Sequence, residues 1–282
     1  MKNPTDTARI RELLKELHLP GMRESFEQKA REALQEQSEP MTYLRELLEL
    51  EWTQRQEKSV LRRLRESGLP LEKNFDTFDM GRFAPKVSSQ VKVLREGSFL
   101  DRHENVLVFG SPGSGKSHLL AALGQELVRA GRRVCFSSTS MLVQELLRAK
   151  AELRLDKYLK KLAAFDALII DDIGYVQQDR QEMEVFFTLL SARYERGSVM
   201  ITSNLQFSKW EIIFKDPMTT AAAIDRLVHH SVILELNVPS FRMEHAQQKT
   251  RKNQKEEHDE TQHGKGQRAD VRRLEQYLSV NT

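Results

Sequence analysis

Eight residues, Gly110-Ser111-Pro112-Gly113-Ser114-Gly115-Lys116-Ser117, carry glycines and a lysine at the spacing that holds a polyphosphate. They match G-x-x-x-x-G-K-[ST] at every fixed position. Glycines let backbone N–H groups turn inward and approach phosphate oxygens. Lys116 supplies a point charge for the β- and γ-phosphates, and Ser117 offers a hydroxyl to Mg²⁺. A second group follows in Ala167-Leu168-Ile169-Ile170-Asp171-Asp172, an apolar run ending in two carboxylates. Asp171 at the strand tip is placed to hold the metal, directly or through water. Asp172 is placed to orient and deprotonate an attacking water. The chemistry expected of this set is Mg²⁺-dependent hydrolysis of ATP to ADP and phosphate.

Two further residues have more than one role open to them. Asn204 ends the run Val199-Met200-Ile201-Thr202-Ser203, where it can bond the γ-phosphate or the attacking water, or simply form a turn. Arg226 lies near the end of the helical pattern Ala221–Val228. It is either a surface ion-pair partner for Asp225 or a neighbour, or an arginine finger for hydrolysis.

The elements that must position these residues are short apolar strands alternating with helices. Val106–Phe109, Val134–Phe136, Ala167–Ile170, Val199–Thr202 and Val232–Leu236 are the strands, and the alternation predicts a parallel sheet covered on both faces. The pattern Val106–Phe109, phosphate loop, then a helix over His118–Arg129 aims a helix N-terminus at the anion. Residues 1–70 read as helices only. Leu13, Leu14 and Leu17 repeat at helical spacing, and Pro20-Gly21 interrupts them. A helix over Met22–Gln35 follows, and Ser38 is the expected N-cap before Pro40. Met41–Glu66 then carries Leu44, Leu47, Leu48, Trp52, Leu61 and Leu64 on one broad face, stopped by Gly68 and Pro70. The expected organisation is a helical N-terminal domain (1–70) for partner or DNA docking, a connecting segment (71–104), an ATPase core (105–244) and a polar tail (245–282).

Charged residues make up 30% of the 282-residue chain and apolar ones 39%, so solvated helices or a disordered end are expected beside the core. Residues 245–269 lack the apolar content to offset their ordering entropy. Val271, Leu274, Tyr277 and Leu278 can line a short docking helix, although a solvated or frayed tail is the plainer reading. The net charge of +3 is too small by itself to imply a nucleic-acid partner. The single cysteine, Cys135, excludes an internal disulfide and reads as a buried thiol. An N-terminus without an apolar signal segment, and no apolar run long enough for a membrane span, predict a cytoplasmic protein with no membrane partner.

A basic stripe lies in the helical stretch Ser140–Ala164. Lys150, Arg154, Lys157 and Lys161 fall on one face of an unbroken helix, with Lys160 beside them, while Leu153, Tyr158, Leu159 and Leu162 are left to pack inward. Such a face is either solvated or bound to DNA. A second stripe, Arg55, Lys58, Arg62 and Arg65, is nearly balanced by glutamates. It suits a protein-docking surface or a DNA clamp.

With the phosphate loop, Asp171-Asp172, Asn204 and Arg226 in this order, the chain resembles the AAA+ ATPases of the branch that includes DnaA and DnaC. It resembles the IstB family of transposition helper ATPases more closely. That likeness rests on Gly110–Ser117, Leu168-Ile169-Ile170-Asp171-Asp172-Ile173-Gly174-Tyr175, Arg193-Tyr194-Glu195-Arg196, Ile201-Thr202-Ser203-Asn204 and Ala223–His230, and on the helical N-terminal region. The resemblance implies an AAA+ α/β fold, a five-stranded parallel sheet flanked by helices and preceded by a small all-helical domain. It gives Asn204 the role of first sensor and makes Arg226 a finger for a neighbouring subunit of a homo-oligomer. Phe75 and Phe78 resemble the segment that packs near adenine. The basic insertion falls where initiator-branch proteins carry a DNA-contacting helix, so duplex DNA, bound largely without sequence preference, and a cognate transposase are the implied partners. Two departures stand out. Many AAA+ proteins have Glu where this chain has Asp172. After Leu236 there is no apolar material for a full lid, and Arg242 is the nearby candidate for a second sensor. The expected function is ATP-timed assembly on DNA that guides a transposase to its target. A DnaC-like helicase loader and a DNA scaffold with structural nucleotide are the alternatives.

Overall fold

The structure is a computed structural model and describes residues 4–174, 179–210, 217–241 and 243. Arg242, Tyr175 and the whole tail 245–282 lie outside the described residues.

Five strands form one parallel sheet: β1 (Asn105–Gly110), β2 (Val134–Ser138), β3 (Ala167–Ile173), β4 (Ser198–Ser203) and β5 (Ser231–Leu236), in the order β2-β3-β4-β1-β5. All five begin within two residues of the expected positions. Successive side chains of a strand point to opposite faces, and both faces are covered. Val106, Val108, Ala167, Ile169 and Met200 pack with α6 (Lys116–Arg129) and with α4 (Pro85–Arg95). Leu107, Phe109, Leu168, Ile170 and Ile201 face the other way, onto α7 (Thr139–Ala151), α8 (Leu155–Ala163), α9 (Arg180–Arg193) and α10 (Pro217–Val228). Burial on both sides explains why the strands are unbroken apolar runs rather than alternating ones.

The N-terminal region folds as α1 (Pro4–Glu16), α2 (Pro20–Gln35) and α3 (Pro40–Ser67), with Leu14, Met22, Phe26 and Leu47 as a small core. Pro20 and Pro40 each occupy the first turn of a helix, where no N–H is lost. The N-cap of α3 is Glu39 and not Ser38, because the chain already turns helical at Pro40. The far end of α3 leaves this small core: Leu64 joins the sheet cluster with Leu69. Residues 71–104, read from sequence as a connection and adenine-side segment, hold a 3₁₀ turn at Met80–Arg82, α4 and a short α5 (Ser98–Asp101). Among the described residues no helix is long and apolar enough to cross a membrane.

One expected helix is two. The stretch Ser140–Ala164 breaks between α7 and α8, where Leu153 adopts φ 55 and Arg154 becomes the N-cap of α8. Leu153, expected to pack inward, is 95% exposed at the tip of this turn. Leu162 is buried and Tyr158 and Leu159 are half-buried, as expected of an inward face.

Candidate functional site

The turn that follows β1 is shaped by what its neighbours leave no room for. A Cβ on Gly110 would lie 2.6 Å from Ser114 Oγ and 2.8 Å from the Leu236 carbonyl. Gly113 and Gly115 have φ of 80 and 98, conformations that favour glycine. The loop runs into α6, whose first residues are Lys116 and Ser117. Lys116 is buried, and its Nζ donates to the carbonyls of Gly110 (2.8 Å) and Ser111 (3.0 Å). The ammonium is therefore fixed inside the loop.

The carboxylates sit at the tip of β3, where the pairing with β4 shifts register between Ile170 and Ile173. The bulge divides the labour of the two aspartates. Asp171 stays buried, and its Oδ1 accepts a 2.5 Å bond from Thr202 Oγ1. Asp172 takes φ 62 and turns outward into the cavity. The same Thr202 oxygen accepts the Asp172 N–H at 2.8 Å. One hydroxyl on the neighbouring strand thus holds both acidic residues in register. Thr139 Oγ1 adds a 2.9 Å bond to the Asp171 carbonyl.

Phosphate loop and Asp172 open on a cavity of about 250 Å³. Pro112, Gly113, Ser114, Gly115, Lys116, Ser117 and Asp172 line it on one side. On the other are Phe78, Phe83, Arg82, His118 and Phe241. Phe78 and Phe83 stack with ring centroids 5.2 Å apart, and Phe78 lies against Gly115. His118 fixes this wall: its Nε2 lies 2.9 Å from the Asn74 carbonyl and 3.2 Å from Thr77 Oγ1. Phe75, expected beside Phe78, does not line the cavity. Its ring stands edge-on to Phe78 at 6.3 Å, with the Arg95 guanidinium 4.5 Å over it. Gly110 and Ser111 form the base of the loop and not the cavity wall.

The residues present fit a Mg²⁺–triphosphate group. The Ser114 hydroxyl is buried with no partner among the described residues. The turn would be filled by any Cβ at Gly110, and Ser117 and Asp171 are hard oxygen ligands of the kind Mg²⁺ takes. Asn204 stands at the end of β4, where its Oδ1 is buried and unpartnered among the described residues. It does not line the cavity, and lies beside Gly174.

Arg226 is elsewhere. It lines a separate cavity with Arg102, Tyr194, Glu195 and His230 around Asn105, the first residue of β1. The phosphate loop follows the last residue of β1, so roughly 20 Å of strand separates the two. Arg226 Nη1 donates to the Ala222 carbonyl at 3.0 Å, and the guanidinium lies 4.7 Å over Phe187. It cannot serve the cavity of its own chain.

The basic stripe is reshaped by the helix break. Arg154, Lys157, Lys160 and Lys161 line a shallow cavity of about 630 Å³ together with Arg148, Glu145 and Glu152. Lys150 is turned away to an ion pair with Glu184 at 3.1 Å. Burial, and a hydrogen bond to Glu145, push the Tyr158 hydroxyl well above its ordinary value, so it remains a neutral donor at the cavity edge.

Sequence reasoning quoted Arg193 only for the family likeness and missed that it is buried. Arg193 donates to the carbonyls of Leu162 (2.9 Å), Phe165 (3.0 Å), Asp166 (3.2 Å) and Ser198 (3.0 Å). Burial pushes it down to about 10, so it stays charged at neutral pH. It ties the entries of β3 and β4 together. Cys135 is half-buried rather than fully buried, and burial still pushes its thiol up, away from reactivity.

A phosphate loop on β1, strand-end acids on β3 and sheet order β2-β3-β4-β1-β5 define an AAA+ P-loop fold. The helicase loader DnaC shares it, with a TM-score of 0.50 and 21% identity over 58% of this chain and 97% of that one. So does a replication initiator DnaA solved with AMPPCP and single-stranded DNA, with a TM-score of 0.51 and 20% identity over 61% and 52%. Within that fold the chain belongs to the family of IstB-like ATP binding proteins, whose model matches residues 12–249. An insertion-sequence ATP-binding protein of Sinorhizobium fredii is 42% identical over 88% of this chain and 84% of its own length. The insertion sequence IS21 ATP-binding protein of Pseudomonas aeruginosa is 40% identical over 70% and 74%.

Proposed function

We propose that this chain is an ATPase that assembles on duplex DNA with ATP and helps a transposase choose its target. The observation that carries the reading is the convergence of Lys116, Ser117 and Asp172 on one cavity, with Asp171 held behind it by Thr202, in a chain of this family. Lys116 binds the phosphates, and Ser117 and Asp171 would hold Mg²⁺. When bound, that ion neutralises charge developing on the transferred phosphoryl oxygens. Asp172 positions the attacking water and takes its proton, and Asn204, one strand over, steadies that water or the γ-phosphate.

Arg226 lies too far from its own cavity, so it acts on the nucleotide of the next subunit. ATP then becomes a bond between protomers, and hydrolysis loosens it. The cations Arg154, Lys157, Lys160 and Lys161 face the phosphates of DNA, and the helices of residues 1–70 dock the transposase or a neighbouring subunit. Leu153 projects from the same basic turn, where an apolar side chain can lie against the bases of a groove.

The test is sedimentation of the protein with duplex DNA in ATP, in ADP and without nucleotide, with Lys116→Ala alongside. Large complexes only in ATP, lost in the variant, are expected. Assembly that ignores nucleotide would point to a scaffold. If four phosphates are contacted per subunit, log K falls against log[salt] with a slope of about −3.6. Arg226→Ala lowers DNA-stimulated turnover by about 10³ or more, and an unchanged rate in the assembled variant would remove the finger.

A further inference from the structure

The cavity has a wall that neither the phosphate loop nor the acidic strand explains. It is made by Arg82, at the end of the 3₁₀ turn, and by Phe241, in the strap of chain that leaves β5. The strap folds back over the phosphate loop. The Phe241 N–H donates to the Gly113 carbonyl at 3.0 Å. Ser240 packs so closely on Gly113 that a Cβ there would sit 2.1 Å from Ser240 Oγ. Arg82 joins the strap from the opposite side of the cavity. Its Nη2 donates to the Pro239 carbonyl at 3.2 Å, and its guanidinium lies 5.2 Å from the centre of the Phe241 ring. The turn that carries Arg82 is itself fixed, since Asp79 Oδ1 accepts the Gly81 N–H at 3.0 Å.

We propose that Arg82 and Phe241 are nucleotide-binding residues that close over the base and ribose of a bound purine nucleotide and retain it. The inference rests on the reading of this cavity as a nucleotide site. The phosphates take the end formed by Lys116 and the loop amides. The facing wall holds three phenylalanine rings and a guanidinium: Phe78, Phe83, Phe241 and Arg82. A flat guanidinium stacks on aromatic faces and still presents N–H donors at its edge, as a lysine ammonium does not. Phe241 is 49% exposed, and a bound base would cover part of its ring. Because the strap also hydrogen-bonds Gly113, a nucleotide cannot leave past Phe241 without loosening a contact to the loop that holds its phosphates. Arg82 thus governs residence time more than the chemical step.

The experiment is stopped-flow release of fluorescent mant-ATP and mant-ADP from the full chain, comparing wild type, Arg82→Ala, Arg82→Lys, Phe241→Ala and the double alanine variant. Each alanine variant is expected to release nucleotide about tenfold faster. The double variant should be no faster than the faster single one, since both remove one closure. Arg82→Lys should behave like Arg82→Ala. Melting without nucleotide identifies any variant that has lost its fold, and Arg82→Lys keeps the test alive if Arg82→Ala has. Release within twofold of wild type in a folded Arg82→Ala protein overturns the proposal, as does a double variant whose effects multiply. Should wild type bind mant-nucleotide no better than Lys116→Ala, the nucleotide reading of the cavity falls, and this closure with it. Wild-type binding with unchanged release in Arg82→Ala defeats the closure alone.

Discussion

The sheet and the three N-terminal helices use similar apolar residues to opposite ends. In the sheet, Leu107, Leu168, Ile169 and Ile201 are at most 1% exposed, each pinned between two layers. In the N-terminal helical region, Leu17 in the turn after α1 and Leu48, Trp52 and Leu61 of α3 all lie more than half in solvent. Only Leu14, Met22, Phe26 and Leu47 form a core there. A strand covered on both faces leaves an apolar side chain nowhere else to go. A helical stripe declares only that something apolar belongs against it, and not that the same chain provides it. The contrast extends to charge. The sheet region satisfies its buried, charged arginine with four backbone carbonyls, whereas the helices bury Glu51 against Arg55 and the Met22 amide.

The contrast can be broken or sharpened by substitution, with urea unfolding as the readout. Leu168→Ala is expected to cost about 2–5 kcal/mol, since nothing can collapse into the space between layers. A loss below about 1 kcal/mol would mean that the sheet is not the rigid half. Arg193→Met should cost about 3 kcal/mol by leaving buried carbonyls without donors, and near-neutrality would show that water replaces the guanidinium. Glu51 gives an intermediate and pH-dependent effect. Burial opposes its ionisation, but Arg55 and the amides of Met22 and Gly21 outweigh burial and hold its carboxyl below the ordinary range. Its contribution is therefore present above the unfolded value of about 4.3 and disappears as pH falls through the lower folded value. The stability gap between wild type and Glu51→Gln should shrink on acidification; a gap that widens contradicts the assignment. At the small end, Trp52→Ser should change stability by no more than about 0.5 kcal/mol. A large loss would show that this face is already covered in the free protein.

What was legible followed from where each signal is stored. The phosphate loop, the two aspartates and the five strands lie in contiguous residues, so local spacing was enough. Thr202 was passed over because its importance exists only when β4 lies beside β3 and its hydroxyl reaches both Asp171 and Asp172. Arg82 and Phe241 are separated by most of the chain and meet only across the cavity. His118, next to Ser117, could have been noticed as a polar residue in the first turn of α6, but its partners Asn74 and Thr77 could not. The basic stripe failed in part for the opposite reason. It assumed an unbroken helix, and the turn at Leu153 carries no glycine or proline to announce itself. That single left-handed residue sends Lys150 to Glu184 and leaves the other cations together.

The bulge at the end of β3 has a further meaning for which variants this position can accept. Asp172 holds φ 62, a left-handed conformation that Asn and Asp enter more readily than most side chains, and Gly more readily still. A glutamate here would keep the backbone bond to Thr202, as Glu195 already holds the same conformation, and would carry its carboxylate one methylene further into the cavity. A saturation library at codon 172 should therefore return Asn and Gly among its well-folded, inactive members. Glu should be recovered as folded but less often than Asn, since the backbone beneath this position favours the shorter side chain without excluding the longer one.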